Sequence, residues 1–167
     1  WARIIAQSVY YFYSYFLVKD EGPINFYVPT GNFGDVYAGY LSKKLGLPIN
    51  KLIVATNKND ILDRAISKGK YEVENVFETN SPSMDIQIAS NFERLIYDLN
   101  DCDDVKTKNI MKGIKKNGKY ILSKEILEKI NKNFLSASLN EDEILKVLKD
   151  VYEKYKIILD PHSAIAF

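Results

Sequence analysis

The sequence predicts an α/β fold, in which a parallel sheet is flanked by helices. Residues 24–28, apolar except for Asn25, indicate a short buried strand, and the continuous apolar run at residues 52–55 is typical of a strand covered on both faces. Each run is followed by a segment with helical signals, so residues 24–69 alternate strand, helix, strand and helix. Strands joined through a helix run parallel, with right-handed crossovers. The 167 residues, 46% of them apolar, suffice for one domain or for part of a larger one.

The chain opens on an apolar, tyrosine-rich segment, residues 2–19, which is predicted to be a helix buried on most of its sides. Arg3 and Gln7 disfavour a membrane span, and no basic start or small-residue cleavage site indicates a secretory signal. The Glu-Gly-Pro sequence at residues 21–23 is predicted to end the helix. Because the first residue is tryptophan rather than methionine, we expect the chain to be part of a longer protein.

Glycines are predicted to end the two helices of the alternating segment. A glycine-bearing turn follows the first strand, and the helix after it, over about residues 35–45, is capped by Gly46. The second helix, over about residues 60–68, is predicted to have Asn59 as its N-cap and to end at Gly69.

The second half of the chain is predicted to be mainly helical. A turn at residues 81–85 leads into a helix that ends near residue 99, and an acidic, solvated loop follows. Residues 110–122 are ambiguous, since their two glycines favour a turn with short extended flanks. Ser123 is predicted to be the N-cap of the next helix.

The last part of the chain carries clearer signals. Residues 140–156 have an apolar face at helical spacing and an acidic start, which suits the positive end of a helix dipole. A short strand is predicted at residues 157–159. Asp160 and Pro161 then have the residue types of an N-cap and a first helical position.

Composition excludes several classes of function. The 23 basic and 22 acidic side chains give a net charge of only +1, which argues against a nucleic-acid or anionic-membrane surface. A single cysteine, Cys102, excludes an intramolecular disulfide, and we expect a cytoplasmic protein. A single histidine, His162, leaves no Cys/His cluster for a structural zinc ion.

The sharpest local motif is PTGNFGD at residues 29–35, between a predicted strand and a predicted helix. Gly31 and Gly34 are expected to adopt backbone angles that other residues resist, so that successive N–H groups point into one concavity. The helix adds unpaired N–H groups and its positive dipole end, which together suit a phosphate. The motif lacks the lysine of a nucleotide-triphosphate loop and the spacing of a dinucleotide fingerprint. An ordinary strand-to-helix turn is the alternative.

A longer pattern resembles the middle of threonine synthase. It comprises VPTGNFGDVYAGY (residues 28–40), GLPI (46–49) and LIVATN (52–57). Four further stretches belong to it: WARI (1–4), SPSMDI (81–86), SNFERL (90–95) and DPHSA (160–164). These stretches stand in family order at plausible spacing. Residues 100–156 match only in general helical character, so the chain is interpreted as one partial domain, residues 1–167, with a less well matched helical segment.

The resemblance implies a lyase of fold-type II, the tryptophan synthase β fold, with pyridoxal 5'-phosphate as cofactor. Family members convert O-phospho-L-homoserine and water to L-threonine and phosphate. Their glycine loop holds the cofactor phosphate, and an Asp-Pro-His-Thr element places a hydroxyl near the cofactor's ring nitrogen. The matching residues here are Gly31, Asn32, Phe33, Gly34, Asp35 and, for the hydroxyl, Ser163.

The family's Schiff-base lysine precedes the tryptophan, in a Phe-Lys-Asp motif that this chain lacks. The Val-Lys-Asp sequence at residues 18–20 is interpreted as the solvated end of the first helix, so Lys19 is not a candidate. The family's C-terminal tail is also missing. The chain is therefore expected to be inactive alone and to need the missing part of the enzyme as a partner. A non-catalytic remnant of a split or decayed gene is the alternative, and a phosphate-binding α/β module of another family is a third interpretation.

His162 and Arg3, which lie outside the loop, each have a structural and a functional interpretation, whereas Arg94 and Glu93 have a structural one. His162 is expected to make structural hydrogen bonds at a helix start rather than to act as a catalyst. Arg3 is a candidate for binding an anionic substrate or for pairing with a carboxylate. Arg94 and Glu93 are expected to form an ion pair.

Overall fold

Eight helices and five strands make up the parts of the chain described by the computed structural model, residues 1–19 and 22–167. In chain order they are α1 (Ala2–Val18), β1 (Ile24–Pro29), α2 (Gly34–Lys44), β2 (Ile49–Thr56), α3 (Ile61–Lys68), β3 (Lys70–Glu72), α4 (Phe92–Leu99), α5 (Asp104–Asn117), β4 (Lys119–Ile121), α6 (Lys124–Asn133), β5 (Phe134–Ser138), α7 (Glu141–Tyr155) and α8 (Pro161–Ala164). A single 3₁₀ turn, Pro82–Met84, lies between β3 and α4.

The central sheet is parallel and has the strand order β1-β2-β5. Val28 pairs with Val54, and Leu52 pairs with Phe134. This confirms the parallel α/β fold predicted from the apolar runs. A separate pair, β3 and β4, is antiparallel. The third central strand, β5, was missed, because it follows α6 without a break and alternates serine and alanine.

Several predicted boundaries were wrong. The helix expected from residue 85 begins only at Phe92, because the Asp85 side chain is tied into a hydrogen-bonded loop. Helix α5 continues through Gly113 to Asn117 and is capped by Gly118, whose φ is +68°. Residues 157–159 are not a strand, since none of the described strands pairs with them.

Helix caps were predicted more accurately. The predicted caps Ser123 and Asp160 each accept a hydrogen bond from a backbone N–H in the first turn of their helices, and Asn140, where a helix was predicted to begin, does the same. Asn59 is the exception, because Asp60 occupies the cap position of α3 and the Asn59 amide donates to Asp85 at 3.0 Å. The Asn59 side chain therefore binds a buried polar partner instead of capping α3.

Two apolar clusters hold the layers together. The larger one joins α1–α6 to the three strands of the central sheet and includes Tyr37, Leu52 and Phe134, each almost fully buried. The smaller one joins α7 and α8 to the carboxyl end of β2 through Ala55, Met84 and Ala164. The second cluster brings the C-terminal helices next to the 3₁₀ turn.

Helix α1 is less buried than its composition predicted. Only Ile4 and Tyr11 are buried, where the helix packs on α2. Its outer face, called the α1 apolar face below, consists of the exposed side chains of Ile5, Val9, Tyr10, Tyr13, Phe16 and Leu17. Within residues 1–19 and 22–167, no helix combines the length and apolar character needed to cross a membrane. Asp20 and Glu21, part of the expected helix stop, lie outside the described residues.

Candidate functional site

A cavity of about 350 Å³ lies where β1 ends and α2 begins. The whole PTGNFGD segment lines it, so the structure brings Gly31, Asn32, Phe33, Gly34 and Asp35 to one wall. The other walls come from α1, from the 3₁₀ turn, from α4 and from α8. The position, at the carboxyl end of a parallel strand, is the usual place for a ligand in an α/β fold.

The backbone of the loop is rich in free donors. The Thr30 N–H donates to the Ala55 carbonyl at 2.8 Å, which ties the loop to β2. For residues 31–36, no acceptor of the backbone N–H groups is found within the described chain. Three of these residues form the first turn of α2, whose N–H groups are free in any helix, and the positive dipole end lies there. The arrangement suits an anion the size of a phosphate.

The two loop glycines provide space rather than unusual backbone angles, which corrects the expectation from the sequence. Neither has a positive φ, whereas Phe33 is left-handed at φ +64°. A Cβ atom on Gly31 would lie 2.8 Å from the Ser83 carbonyl oxygen. A Cβ atom on Gly34 would lie 3.3 Å from the Asn91 side-chain nitrogen. The 3₁₀ turn therefore approaches the loop too closely for a larger residue at Gly31, whereas the side chain of Asn91 would have to shift only slightly for one at Gly34.

Packing holds Phe33 in its strained conformation. Its ring is 1% exposed and lies between the rings of Phe92 and Phe134, at centroid distances of 5.3 and 5.8 Å. A left-handed non-glycine residue costs about 1–3 kcal/mol, and burial of a whole phenyl ring offsets a cost of that size. The carbonyl group of the neighbouring residue, Asn32, accepts hydrogen bonds from both the backbone N–H and the side-chain amide of Asn91.

Asp35 places a partly buried carboxyl group beside these donors. The Tyr11 hydroxyl donates to its backbone carbonyl at 2.9 Å. Its Oδ1 atom is buried and has no hydrogen-bond partner among the residues that the structure describes. Burial raises the pKa of this carboxyl group above its usual value.

The Asp35 carboxylate is therefore expected to destabilise the ligand-free chain at neutral pH. A raised pKa means that the folded state binds the proton more tightly, so this contribution to stability is present in acid and is lost as pH rises through the raised pKa. Asp35→Asn should raise the urea midpoint at pH 7, and the gain should shrink towards pH 4. Asp142→Asn, at an exposed first-turn position of α7, is the matched control and should show no such gain. A pH-independent effect of Asp35→Asn would contradict the assignment.

Ser163, the other site residue expected from the sequence, does not line the cavity. It is exposed, and its hydroxyl donates to Asp160 at 2.9 Å. The hydrogen bond from Ser163 and those from the α8 amides lower the pKa of Asp160, the N-cap of this short helix. The neighbouring His162 does line the cavity, so Ser163 lies one residue from its wall.

The cationic side chains of the cavity are arginines. Arg3 and Arg94 both line it, and no lysine of the described residues does so. Arg94 stacks on Trp1, with its guanidinium carbon 4.5 Å from the ring centroid, and donates to Asn91 at 3.0 Å. The expected ion pair with Glu93 is therefore wrong. Lys19 is exposed and does not line the cavity.

Sequence reasoning missed the polar network that supports the cavity. The Asp85 carboxylate accepts hydrogen bonds from the Asn57 and Asn59 side chains and from Thr79. Asn57 and Asn59 are almost fully buried. Polar residues directly after the apolar run of β2 were the available signal, because ligands and their supports collect at that end of a parallel sheet. Among the described residues, no group of His, Cys, Asp and Glu could hold a metal ion.

Comparison with known proteins gives the family. No protein-family model matches the chain. Threonine synthase of Saccharomyces cerevisiae is 46% identical over 182 residues, and that of Pseudomonas aeruginosa is 41% identical over 166 residues. Each alignment covers 99% of this chain. The chain is a partial member of the threonine synthase family. It spans 35% of the length of either relative.

Solved threonine synthases have the same fold. A structure from Brucella melitensis, described as bound to pyridoxal phosphate, superposes with a TM-score of 0.96 at 46% identity, over 99% of this chain and 36% of that one. The yeast enzyme gives a TM-score of 0.94 with the same coverage. Maize serine racemase, at 15% identity and a TM-score of 0.61, shares the fold alone. These likenesses confirm the α/β fold of the pyridoxal-phosphate type expected for a threonine synthase.

Proposed function

We propose that this chain supplies the cofactor-phosphate part of a threonine synthase site, which uses pyridoxal 5'-phosphate to convert O-phospho-L-homoserine and water to L-threonine and phosphate. The observation that carries the proposal is the row of backbone N–H groups at residues 31–36, which have no acceptor among the described residues and border a cavity. A phosphate dianion is the ligand such a row binds best. The Brucella melitensis relative is described with this cofactor bound.

Each candidate residue has a distinct role in this proposal. The amides of residues 31–34 bind the phosphate, and Asp35 opens the helix whose dipole supports it. Ser163 is the candidate donor towards the ring nitrogen, a role that requires its hydroxyl to leave Asp160. Arg3 and Arg94 bring positive charge to the same cavity and suit the anionic groups of the substrate. When bound, the cofactor supplies the electron sink for chemistry at the substrate's carbon atoms.

The reaction needs a lysine, and residues 1–19 and 22–167 place none at the cavity. We therefore propose that activity requires the remaining two-thirds of a threonine synthase polypeptide. The α1 apolar face supports this, since a contiguous exposed patch of such side chains is typical of an interface. The alternative, a non-catalytic remnant, has the same surface but no productive partner. We also propose a cytoplasmic location, in keeping with the single cysteine of the sequence.

Binding of the cofactor by the 167-residue chain tests the loop assignment. Pyridoxal phosphate should bind more tightly than pyridoxal, which lacks the phosphate, and inorganic phosphate should compete with it. Borohydride treatment followed by mass spectrometry should find no lysine that is labelled uniquely. Equal affinities for the two aldehydes would reject the phosphate loop, and an adduct abolished by Lys19→Arg would show that Lys19 had been excluded wrongly.

Reconstitution separates the partial enzyme from the remnant. The chain is co-expressed with the complementary segments of the yeast relative, and threonine formation from O-phosphohomoserine is measured. The mixture should be active, and either part alone should be inactive. A folded complex that binds the cofactor without forming threonine would favour the remnant.

A further inference from the structure

His162 links the last helix of the chain to the 3₁₀ turn. It lies in α8 and lines the cavity. Its Nε2 atom accepts a hydrogen bond from the Ser83 backbone N–H at 3.3 Å. Its Nδ1 atom lies 3.0 Å from Oδ1 of Asp160. The imidazole thus bridges the N-cap of its own helix and a backbone amide 79 residues away.

These two partners require one particular form of the imidazole. The Ser83 N–H can only donate, so Nε2 must carry no proton. The Asp160 carboxylate can only accept, so Nδ1 must carry one. Hydrogen bonds from Ser163 and the α8 amides lower the pKa of Asp160, which keeps that carboxylate ionised. Both requirements are met by the neutral imidazole with its proton on Nδ1.

Ser83 lies directly against the glycine loop. Its carbonyl oxygen is the atom that a Cβ on Gly31 would approach to 2.8 Å. Met84, beside it, is buried in the smaller apolar cluster with residues of α8, while Asp85 is anchored by its polar network. Ser83 itself is exposed and is bonded to α8 through its amide. A displacement of Ser83 would therefore change the wall that the glycine loop packs on.

We propose that His162 is a positioning residue, which in its Nδ1-protonated neutral form holds the Ser83 backbone against Gly31 and so maintains the loop in its ligand-binding shape. The part that concerns the ligand rests on the proposed function, whereas the link itself does not. A protonated imidazole would present an N–H to the Ser83 N–H, so acid breaks the link. The charged groups sharing the cavity are Arg3, Asp35 and Arg94, with Asp160 on the same helix.

The chain's single histidine makes the link directly observable. After labelling with ¹⁵N-histidine, the ring nitrogens should give one protonated signal, Nδ1, and one unprotonated signal, Nε2, at neutral pH. The protection factor of the Ser83 amide, which removes the intrinsic pH dependence of exchange, should be high at neutral pH and should fall in samples whose ring signals show both nitrogens protonated. A ring protonated on Nε2 at neutral pH would overturn the proposal.

Two substitutions separate the hydrogen bond from packing. His162→Phe keeps a ring but no acceptor, whereas His162→Gln offers an oxygen near the place of Nε2. His162→Phe should lose Ser83 protection and weaken pyridoxal-phosphate binding roughly two- to tenfold, the range for one hydrogen bond. His162→Gln should restore both, and slow exchange at Leu52 and Val54 in β2 should report an intact core in each variant.

The outcomes distinguish the link from the function. Unchanged Ser83 exchange in His162→Phe would overturn the role of His162, even if the wild-type chain binds pyridoxal phosphate. If His162→Phe loses Ser83 protection while the wild-type chain binds pyridoxal as tightly as pyridoxal phosphate, the link is supported and the phosphate site is rejected. Equal cofactor affinity in His162→Phe and wild type, with Ser83 protection lost, would overturn the effect on the loop.

Discussion

Replacing Gly31 by alanine is expected to weaken binding of pyridoxal phosphate about tenfold or more. The added methyl group would lie 2.8 Å from the Ser83 carbonyl oxygen, so either the loop or the 3₁₀ turn must move. Overpacking of this kind costs about 1–3 kcal/mol, and the cost falls on the conformation that presents the amides. Equilibrium titration with pyridoxal phosphate and with pyridoxal measures the effect, which should be confined to the phosphate-bearing ligand.

Two other glycines provide a graded control for this substitution. Gly34→Ala would bring its methyl group 3.3 Å from the side-chain nitrogen of Asn91, which can move, so a smaller loss is expected. Gly113→Ala has open space in α5 and should leave binding unchanged. Valine at Gly31 or Gly34 should give a larger loss than alanine. Equal affinities across the series would mean that the loop does not bind the phosphate.

Replacing Gly39 by alanine should destabilise the chain by about 1–3 kcal/mol, the usual cost of overpacking. A Cβ atom there would lie 2.5 Å from the Tyr11 ring and 2.8 Å from Leu52. Tyr11 cannot easily move, because its hydroxyl is bonded to Asp35 and its ring packs edge-on against Phe26. Urea unfolding of purified protein measures the change, and proteolysis within α1 should increase as the helix separates from α2.

The sign of the stability change in Gly39→Ala distinguishes overpacking from helix propensity. Alanine is a better helix former than glycine by about 1 kcal/mol, so propensity alone would stabilise the Gly39 variant. Gly113→Ala, also inside a helix but facing open space, should therefore be stabilising, by about 0.5–1 kcal/mol. Stabilisation by both substitutions would show that α1 does not pack against α2 as the structure describes.

Much of the site was predictable because its signals are local. The PTGNFGD segment carries its strand, its turn and its helix start within seven neighbouring residues, and the structure places all seven on one cavity wall. The N-caps Ser123, Asn140 and Asp160 were predictable for the same reason, since each bonds to the helix that follows it. The resemblance of the longer pattern added the family, which the comparisons confirm.

The features that were predicted wrongly or not at all depend on contacts between distant parts of the chain. The strand β5 exists because Phe134 and its neighbours pair with β2, about 80 residues earlier. Asp85 begins no helix because Asn57 and Asn59 hold its carboxylate. Such pairings follow from the tertiary arrangement, and local propensity does not reveal them.

The glycine loop itself shows where local reasoning ends. Residue types and their order were enough to indicate a strand-to-helix turn with free amides, because helix starts leave their first N–H groups unpaired in any protein. They could not indicate why glycine stands at position 31, since the reason is the Ser83 carbonyl, which comes from a turn about 50 residues further along. The role of His162 has the same origin. Hydrogen bonds and close contacts between separate segments arise only when the folded core brings those segments together.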